Sequence, residues 1–396
     1  MGVNQFTKQG GNWSAVWSLF AGVTCLIAAE FVPVSLLTPI AGDLAISEGM
    51  AGQTVTAVGI LAVLTSLLLA PLTASVDRRK ILLSLSTLLV VSCIMVGLAQ
   101  SYPALIIARA MLGICVGGFW SMASAVVLQL VPTRQIPRAL SIVYAGVSVA
   151  TILSLPLASY LGYLWGWRAV FFGTALLSAF SLVWQFMALP SLTPVEGNSF
   201  GNMARLLKTR WFAVGMLATV CSYGGYHVVF TFLRPYLEYV LQLSESQLSL
   251  VLLVFGLANC IGTFVAGAII GRHYRATMYL IHLMLAAVAF LLFLTGENQQ
   301  PGMILIVIWG VIFGFIPVGW SAWITRTLAD RAEIAGGLSV AAIQLAIGLA
   351  AACGGQIFDR QGMSGILISA TTIQMSALIL VAASFGLYKL KMGKKV

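Results

Sequence analysis

Hydrophobic positions along this chain come in long continuous runs, separated by short polar or charged breaks. A helix that crosses the hydrocarbon core of a bilayer needs about 20 mostly apolar residues. Twelve runs reach that length, and they lack the period-two alternation of a membrane β-barrel. Each run therefore predicts one membrane-spanning helix. The predicted spans are 14–40, 52–76, 81–99, 104–130, 140–164, 169–189, 211–238, 247–270, 277–295, 303–327, 335–358 and 364–388.

Composition supports the same class of protein. Of 396 residues, 60% are hydrophobic and only 8% are charged. Soluble domains average roughly 45–50% apolar and about 25% charged residues. This composition excludes a soluble enzyme, a secreted disulfide scaffold, a disordered chain and a nucleic-acid-binding domain. The six cysteines lie inside apolar runs without a CxxC pair or a His/Cys cluster, so they predict neither disulfides nor a metal site.

The basic residues predict the orientation of the chain. With the N-terminus inside the cell, 17 of the 21 Lys and Arg residues fall in cytoplasmic loops or termini. This distribution is the one expected from the excess of positive charge on the cytoplasmic side of membrane proteins. We therefore predict a multi-pass membrane protein with both termini in the cytoplasm. The net charge of +10 reflects this topology and does not indicate a nucleic-acid partner.

The longest break between spans divides the twelve spans into six and six. The predicted parts are an N-terminal bundle, 1–189, a cytoplasmic central loop, 190–210, and a C-terminal bundle, 211–396. A shift of about 197 residues aligns the sequence LAISE at 44–48 with LQLSE at 241–245. At a similar shift, Trp-Ser at 120–121 aligns with Trp-Ser at 320–321. These matches indicate two related halves.

Local motifs resemble those of a known family. The sequence Asp-Arg-Arg-Lys at 77–80 resembles the loop motif after the second span of the major facilitator superfamily. Residues 109–118, with Arg followed by glycines at every fourth position, resemble the fourth span of its proton-coupled members. Segments 30–39 and 317–321 are similar to its drug:proton antiporter branch, which includes bacterial exporters of purine ribonucleosides. The resemblance implies an all-α membrane protein with twelve helices in two pseudo-symmetric six-helix bundles, and a substrate site at the midplane.

The same resemblance implies a function. It suggests a proton-coupled secondary transporter of the bacterial inner membrane that exports purine ribonucleosides of the inosine and guanosine type by alternating access. The alternatives are proton-coupled export of sugars, amino acids or drugs, uptake symport, passive facilitation, and an intramembrane enzyme or sensor. No catalytic cluster lies in the spans, which argues against an enzyme. The expected partners are a small solute, protons and the bilayer, with a monomeric chain and no cofactor beyond the proton gradient.

Two charged residues deep in the spans are candidates for proton coupling. A charge at the bilayer centre costs roughly 2.5–3.5 kcal/mol on insertion scales, so each one there needs a reason. Glu30 is the one acidic residue deep in a span, and it either carries the transported proton or forms a structural ion pair. Arg109 lies at a similar predicted depth. It either stabilises ionised Glu30 or a substrate group, or it locks the bundle by bonding main-chain carbonyls.

Further residues are candidates for substrate binding and gating. Flat aromatic rings stack on nucleobases, while imidazole and amide groups can bond their polar edges. Each of these residues could equally be an ordinary packing or interhelical residue. The candidate substrate residues are Phe31, Phe119, Trp120, Tyr226, His227, Asn259, Trp320 and Gln344. Asp77 and Arg78, which follow the second span, are expected to control conformation by clamping the cytoplasmic helix ends.

Overall fold

The structure, a computed structural model, describes residues 11–73, 75–192, 200–295, 298–328 and 331–393. Helices account for nearly all of these residues. The first half of the chain contains α1 (Trp13–Ser35), α2 (Leu37–Asp43), α3 (Glu48–Leu72), α4 (Arg78–Leu98), α5 (Tyr102–Leu130), α6 (Ile136–Trp165) and α7 (Trp167–Ala188). The second half contains α8 (Phe200–Leu207), α9 (Arg210–Thr231), α10 (Leu233–Pro235), a π-helical turn (Tyr236–Val240), α11 (Glu245–Thr295), α12 (Gln299–Thr327) and α13 (Ala332–Gly393).

Ten of the described helices are long and apolar enough to cross a membrane. Two of them, α11 and α13, contain 51 and 62 residues, far more than the roughly 20 that one crossing needs. Non-helical backbone at His273 bends α11, and a positive φ of 62° at Gly362 bends α13. Each of these helices therefore supplies two crossings. The predicted all-α membrane fold with twelve spans is confirmed.

Helix ends alternate between two ends of the molecule. One end of the molecule, called the Asp77 end, contains the start of α1 and the ends of α5 and α7, because Asn12 bonds the carbonyls of Leu130 and Ala188. Asp77 lies there because it bonds the Leu192 N–H just after α7. The opposite end, called the Asp359 end because Asp359 contacts the start of α3 there, contains the tight turn at Gly166, whose φ of 81° suits glycine. There the Arg168 side chain pairs with Asp43.

The structure departs from the predicted elements at three places. The seventh run, predicted as one span over 211–238, contains α9, α10 and the start of the π-helical turn, with a break at Phe232. The first run, predicted as one span over 14–40, contains two helices that meet at Leu36, between Pro33 and Pro39. Proline lacks the N–H that a continuous helix needs, which explains this break. The central loop predicted over 190–210 contains the short helix α8.

Glycines allow close helix contacts within and between the halves. Gly117 on α5 packs on the main chain of Ala62 on α3, where a Cβ atom would collide. Between the halves, Gly59 of α3 packs against Gly348 of α13 in the same way. Small residues are the usual means of close approach between membrane helices, where burial from water supplies little driving force.

Side-chain hydrogen bonds also join the halves near the Asp359 end. The amide of Gln53 on α3 donates to the Ala352 carbonyl on α13 at 3.1 Å. The hydroxyl of Tyr239 donates to the Glu48 carboxylate at 2.7 Å. The two halves are thus in direct contact at this end of the molecule.

Candidate functional site

A proline in α1 frees a main-chain carbonyl group that binds the buried Arg109. Pro33 has no N–H, so the carbonyl of Ala29, four residues earlier, lacks its helical donor. Nη1 of Arg109 on α5 donates to that carbonyl at 2.7 Å, and Nη2 donates to the Glu30 main-chain carbonyl at 3.3 Å. Arg109 is only 1% exposed. Its guanidinium therefore joins α5 to α1 through main-chain acceptors.

The Glu30 carboxyl group lies beside this guanidinium, and the Glu30 residue as a whole is only 6% exposed. The ion pairs found among the described residues do not include Glu30. Arg109 therefore acts on the Glu30 carboxylate as a nearby positive charge, while its N–H groups bond the main chain. This geometry is compatible with both roles that the sequence left open for Arg109.

Gln344 approaches Glu30 from the other half of the molecule. Its side chain, on α13, is buried and interacts with the Glu30 carboxyl group on α1. The amide oxygen of Gln344 has no hydrogen-bond partner among the described residues. An amide can donate to an ionised carboxylate and accept from a protonated one. The pair can therefore form a hydrogen bond in either protonation state of Glu30.

An aromatic cluster adjoins this pair. It consists of Phe31, Tyr223, Tyr226, His227, Phe230 and Phe313. Phe31, next to Glu30 in the chain, meets Phe230 of α9 edge to face at 5.3 Å between ring centroids. Tyr226 and Phe313 lie parallel, with 3.4 Å between centroids and 7° between planes. The cluster thus places flat apolar surfaces from both halves next to the deep carboxyl group.

His227 is held inside this cluster. The contacts described for its ring are with aromatic neighbours, the nearest being Tyr226, perpendicular at 5.0 Å. Phe313 lies perpendicular to the same ring at 5.9 Å. The described residues form no hydrogen bond with the His227 nitrogens, so its imidazole can offer a donor and an acceptor to a bound solute.

Four of the predicted substrate residues lie outside this aromatic cluster. Phe119 meets Trp120 edge to face, and Trp120 stacks on Tyr144 at 5.5 Å, so both residues pack within the first half. Asn259 of α11 donates to the Gly310 carbonyl of α12 at 3.4 Å, within the second half. Trp320 belongs to a buried polar network. The structure brings these residues into contact with helices of their own half.

That network is centred on the Ser222 hydroxyl. Trp320 Nε1 donates to this hydroxyl at 3.1 Å, and His282 Nε2 lies 2.9 Å from it. His282 Nδ1 lies 2.7 Å from the Met278 carbonyl, which can only accept, so Nδ1 carries the proton. In the neutral ring Nε2 then accepts from Ser222. The network joins α9, α11 and α12 inside the second half.

The predicted gating residues lie at the start of α4. The Asp77 carboxylate accepts from the Ser191 hydroxyl at 2.6 Å and the Leu192 N–H at 2.9 Å. Burial favours the neutral acid, but these bonds outweigh it and hold the Asp77 pKa below its ordinary value. Arg78 donates from Nη1 to the Thr73 hydroxyl at 2.9 Å. In this conformation the Asp77 carboxylate bonds the segment that follows α7, and the Arg78 side chain bonds the end of α3.

Sequence reasoning missed three aromatic residues of the cluster, Tyr223, Phe230 and Phe313. Tyr223 precedes Tyr226 by three positions and His227 by four, so the helical spacing was a signal for it. Phe230 follows His227 by three positions and Tyr226 by four, which places all three on one helix face. That spacing was a signal for Phe230. Phe313 gave no comparable signal, because it lies on a different helix and its contact with Tyr226 depends on the packing of α9 against α12.

Comparison with known proteins shows which protein family this chain belongs to. The chain matches the family model described as Major Facilitator Superfamily over residues 19–351 and 215–394. A solved D-xylose-proton symporter superposes with a TM-score of 0.77 at 16% identity, covering 93% of this chain and 97% of its own. A bacterial homologue of the human lysosomal transporter Spinster, inward-facing and unoccupied, gives a TM-score of 0.73 at 14% identity over 96% of each chain. The chain belongs to the major facilitator superfamily and is a multi-pass membrane transporter of small molecules, not an enzyme.

Two relatives are more similar in sequence to this chain than the solved structures are. The chain is 41% identical over 378 residues to the purine ribonucleoside efflux pump NepI of Escherichia coli (strain K12), with 96% of each chain covered. It is 40% identical over 372 residues to the pump of the same name from Salmonella enteritidis PT4, with 94% of each chain covered. The membership predicted from the motifs is confirmed.

The Ser222 network generates a prediction about stability. Ser222→Ala removes the acceptor of Trp320 and the donor to His282, and leaving such buried groups unbonded costs about 1–3 kcal/mol. We expect a lower melting temperature in detergent with an unchanged KM for substrate. Ser376→Ala is the control, because that hydroxyl bonds only a carbonyl of its own helix, Thr372. A raised KM without loss of stability would instead make the network part of the substrate site.

Proposed function

We propose that this transporter exports purine ribonucleosides of the inosine and guanosine type from the cytoplasm in exchange for protons. The names and identities of its relatives support the substrate class. The buried Glu30 carboxyl, which is contacted from both halves, supports the coupling to protons. The proton gradient supplies the energy, and one chain carries the complete pathway.

The observation that carries the proposal is the position of Glu30 between the halves. Its carboxyl group shares the site with the Arg109 charge from the first half and the Gln344 amide from the second. A proton that binds or leaves there changes an electrostatic contact that spans the halves. Protonation of Glu30 and rearrangement of the halves are therefore linked, as proton coupling requires.

The predicted orientation of the chain in the membrane gives each step of the proposed transport cycle a direction. The basic residues in the loops support a cytoplasmic position of the Asp77 end. The halves are in contact at the Asp359 end, so with this orientation the conformation is closed to the outside. Glu30 loses its proton to the cytoplasm and the site admits substrate. After the halves rearrange, protonation from outside expels the substrate and allows the empty carrier to return.

The aromatic cluster provides the surface for the base. Phe31, Phe230 and Phe313 present ring faces and edges suited to stacking on a purine. His227 and Gln344 offer the hydrogen-bonding groups that the polar edge of the base needs. Trp120 and Trp320 pack within their own halves, so the proposal assigns them no contact with the base.

Replacement of Glu30 tests the coupling. Glu30→Gln keeps an uncharged side chain of the same length, resembling the protonated acid, but it cannot release a proton. We expect export of inosine driven by a pH gradient to fall to the level of empty proteoliposomes. Exchange of labelled for unlabelled inosine should fall as well, because this side chain resembles the protonated acid that expels the substrate in the proposed cycle, while insertion into the membrane should be retained.

Glu30→Asp is the matched variant, since it keeps a titratable group on a shorter side chain. It should retain gradient-driven export at a reduced rate. Gradient-driven export by Glu30→Gln at the wild-type rate would show that Glu30 is a structural residue and that the proposed coupling is wrong.

Replacement of Phe313 tests the substrate surface. Phe313→Ala removes the ring that stacks on Tyr226. We expect the KM for inosine to rise about tenfold, within the roughly 1–3 kcal/mol that one base-stacking ring contributes. Phe264→Ala removes a ring on α11 that is 79% exposed, and it should leave the KM unchanged. Equal KM values for both variants would exclude the cluster as the binding surface.

A further inference from the structure

A second proline in the first apolar run has the same consequence as the first. Pro39 has no N–H, so the carbonyl of Ser35, four residues earlier, lacks a helical donor. Nη1 of Arg234, from the second half, donates to this carbonyl at 2.5 Å. The same nitrogen lies 3.3 Å from the Ser159 hydroxyl on α6. Arg234, only 2% exposed, thus bonds the first half from across the interface.

The charge of Arg234 is balanced within its own half. Nη2 lies 2.5 Å from the Glu238 carboxylate in the π-helical turn and 2.7 Å from the Glu245 carboxylate at the start of α11. Separation of the halves would break the bonds to Ser35 and Ser159 but keep both ion pairs. The contact can therefore open without leaving an unpaired buried charge, which would be costly.

Asp359 forms a second contact across the same end. Its carboxylate accepts from the Ser47 hydroxyl at 2.7 Å and from the Gly49 N–H at 3.0 Å. Both donors lie at the start of α3, where free N–H groups and the helix dipole favour a negative charge. A side chain at Gly49 would collide with this carboxylate. A residue of the second half thus caps a helix of the first.

We propose that Arg234 and Asp359 form a latch that holds the Asp359 end closed and sets how often it opens during transport. Both are positioning residues, because they act on the arrangement of the halves and lie at the end of the molecule, outside the Glu30 site. Each latch contact joins a charged group to the main chain of the opposite half, whereas the Arg109 contact lies within one half. The inference rests on the alternating access of the proposed function and is independent of the substrate.

The latch is tested by distances across the Asp359 end, measured by pulsed electron paramagnetic resonance in nanodiscs without substrate. Spin labels are attached at the exposed positions Ser101 and Gln300, one in each half, after replacement of the native cysteines. We expect the wild type to show a dominant closed-state distance. Asp359→Ala should raise the ratio of open to closed populations about tenfold, the size expected for a lost charge-assisted hydrogen bond.

Pro39→Ala is an independent test that removes no charge. It restores a main-chain N–H, which bonds the Ser35 carbonyl and competes with Arg234, so it should also raise the open population. Asp43→Ala is the control, because it breaks the pair with Arg168 at the same end but within one half. Its distances should match the wild type.

The possible outcomes separate the latch from the proposed function. An open population in Asp359→Ala and Pro39→Ala no larger than in Asp43→Ala would overturn the latch. If Asp359→Ala does not reach the membrane, Asp359→Asn replaces it, and an open population intermediate between wild type and Pro39→Ala is expected. Because no substrate or proton gradient is present, failure of the latch leaves the purine and coupling assignments standing, and their failure leaves these distances unaffected.

Discussion

A carbonyl group that loses its helical donor inside a membrane has no water to bond, so another donor must reach it. The first apolar run creates two such carbonyls, at Ala29 through Pro33 and at Ser35 through Pro39. A buried arginine bonds each one, Arg109 within the first half and Arg234 from the second. The positions of both deep arginines, and of the groups around them, depend on these two prolines.

This arrangement explains how a single carboxyl group can respond to both halves. Arg109 is engaged with the main chain, so it supplies charge near Glu30 without bonding its carboxylate directly. The carboxylate then remains available to the Gln344 amide on the opposite half. In the proposed mechanism, a fixed charge on one side and an amide that can donate or accept on the other leave the proton on Glu30 as the variable component of the site.

The fold and the depth of the charged residues in the spans could be predicted from the sequence, because both follow from local patterns. Twelve apolar runs predicted the helices, and their interruption by Glu30 and Arg109 marked a site. Spacing alone also identifies which carbonyl each proline frees. The sequence could not reveal which donor reaches that carbonyl, that Gln344 meets Glu30, or that Trp320 points into a polar network. Those facts depend on packing between helices that lie far apart in the chain.

In the proposed mechanism, purine ribonucleosides and protons move obligatorily in opposite directions through this site. The most direct measurement uses proteoliposomes with a trapped pH-sensitive dye, equal pH on both sides and inosine added outside. We expect inward movement of inosine to drive protons out and make the interior more alkaline, while a sugar or an amino acid should have no effect. Inosine uptake with no change of internal pH would contradict this mechanism.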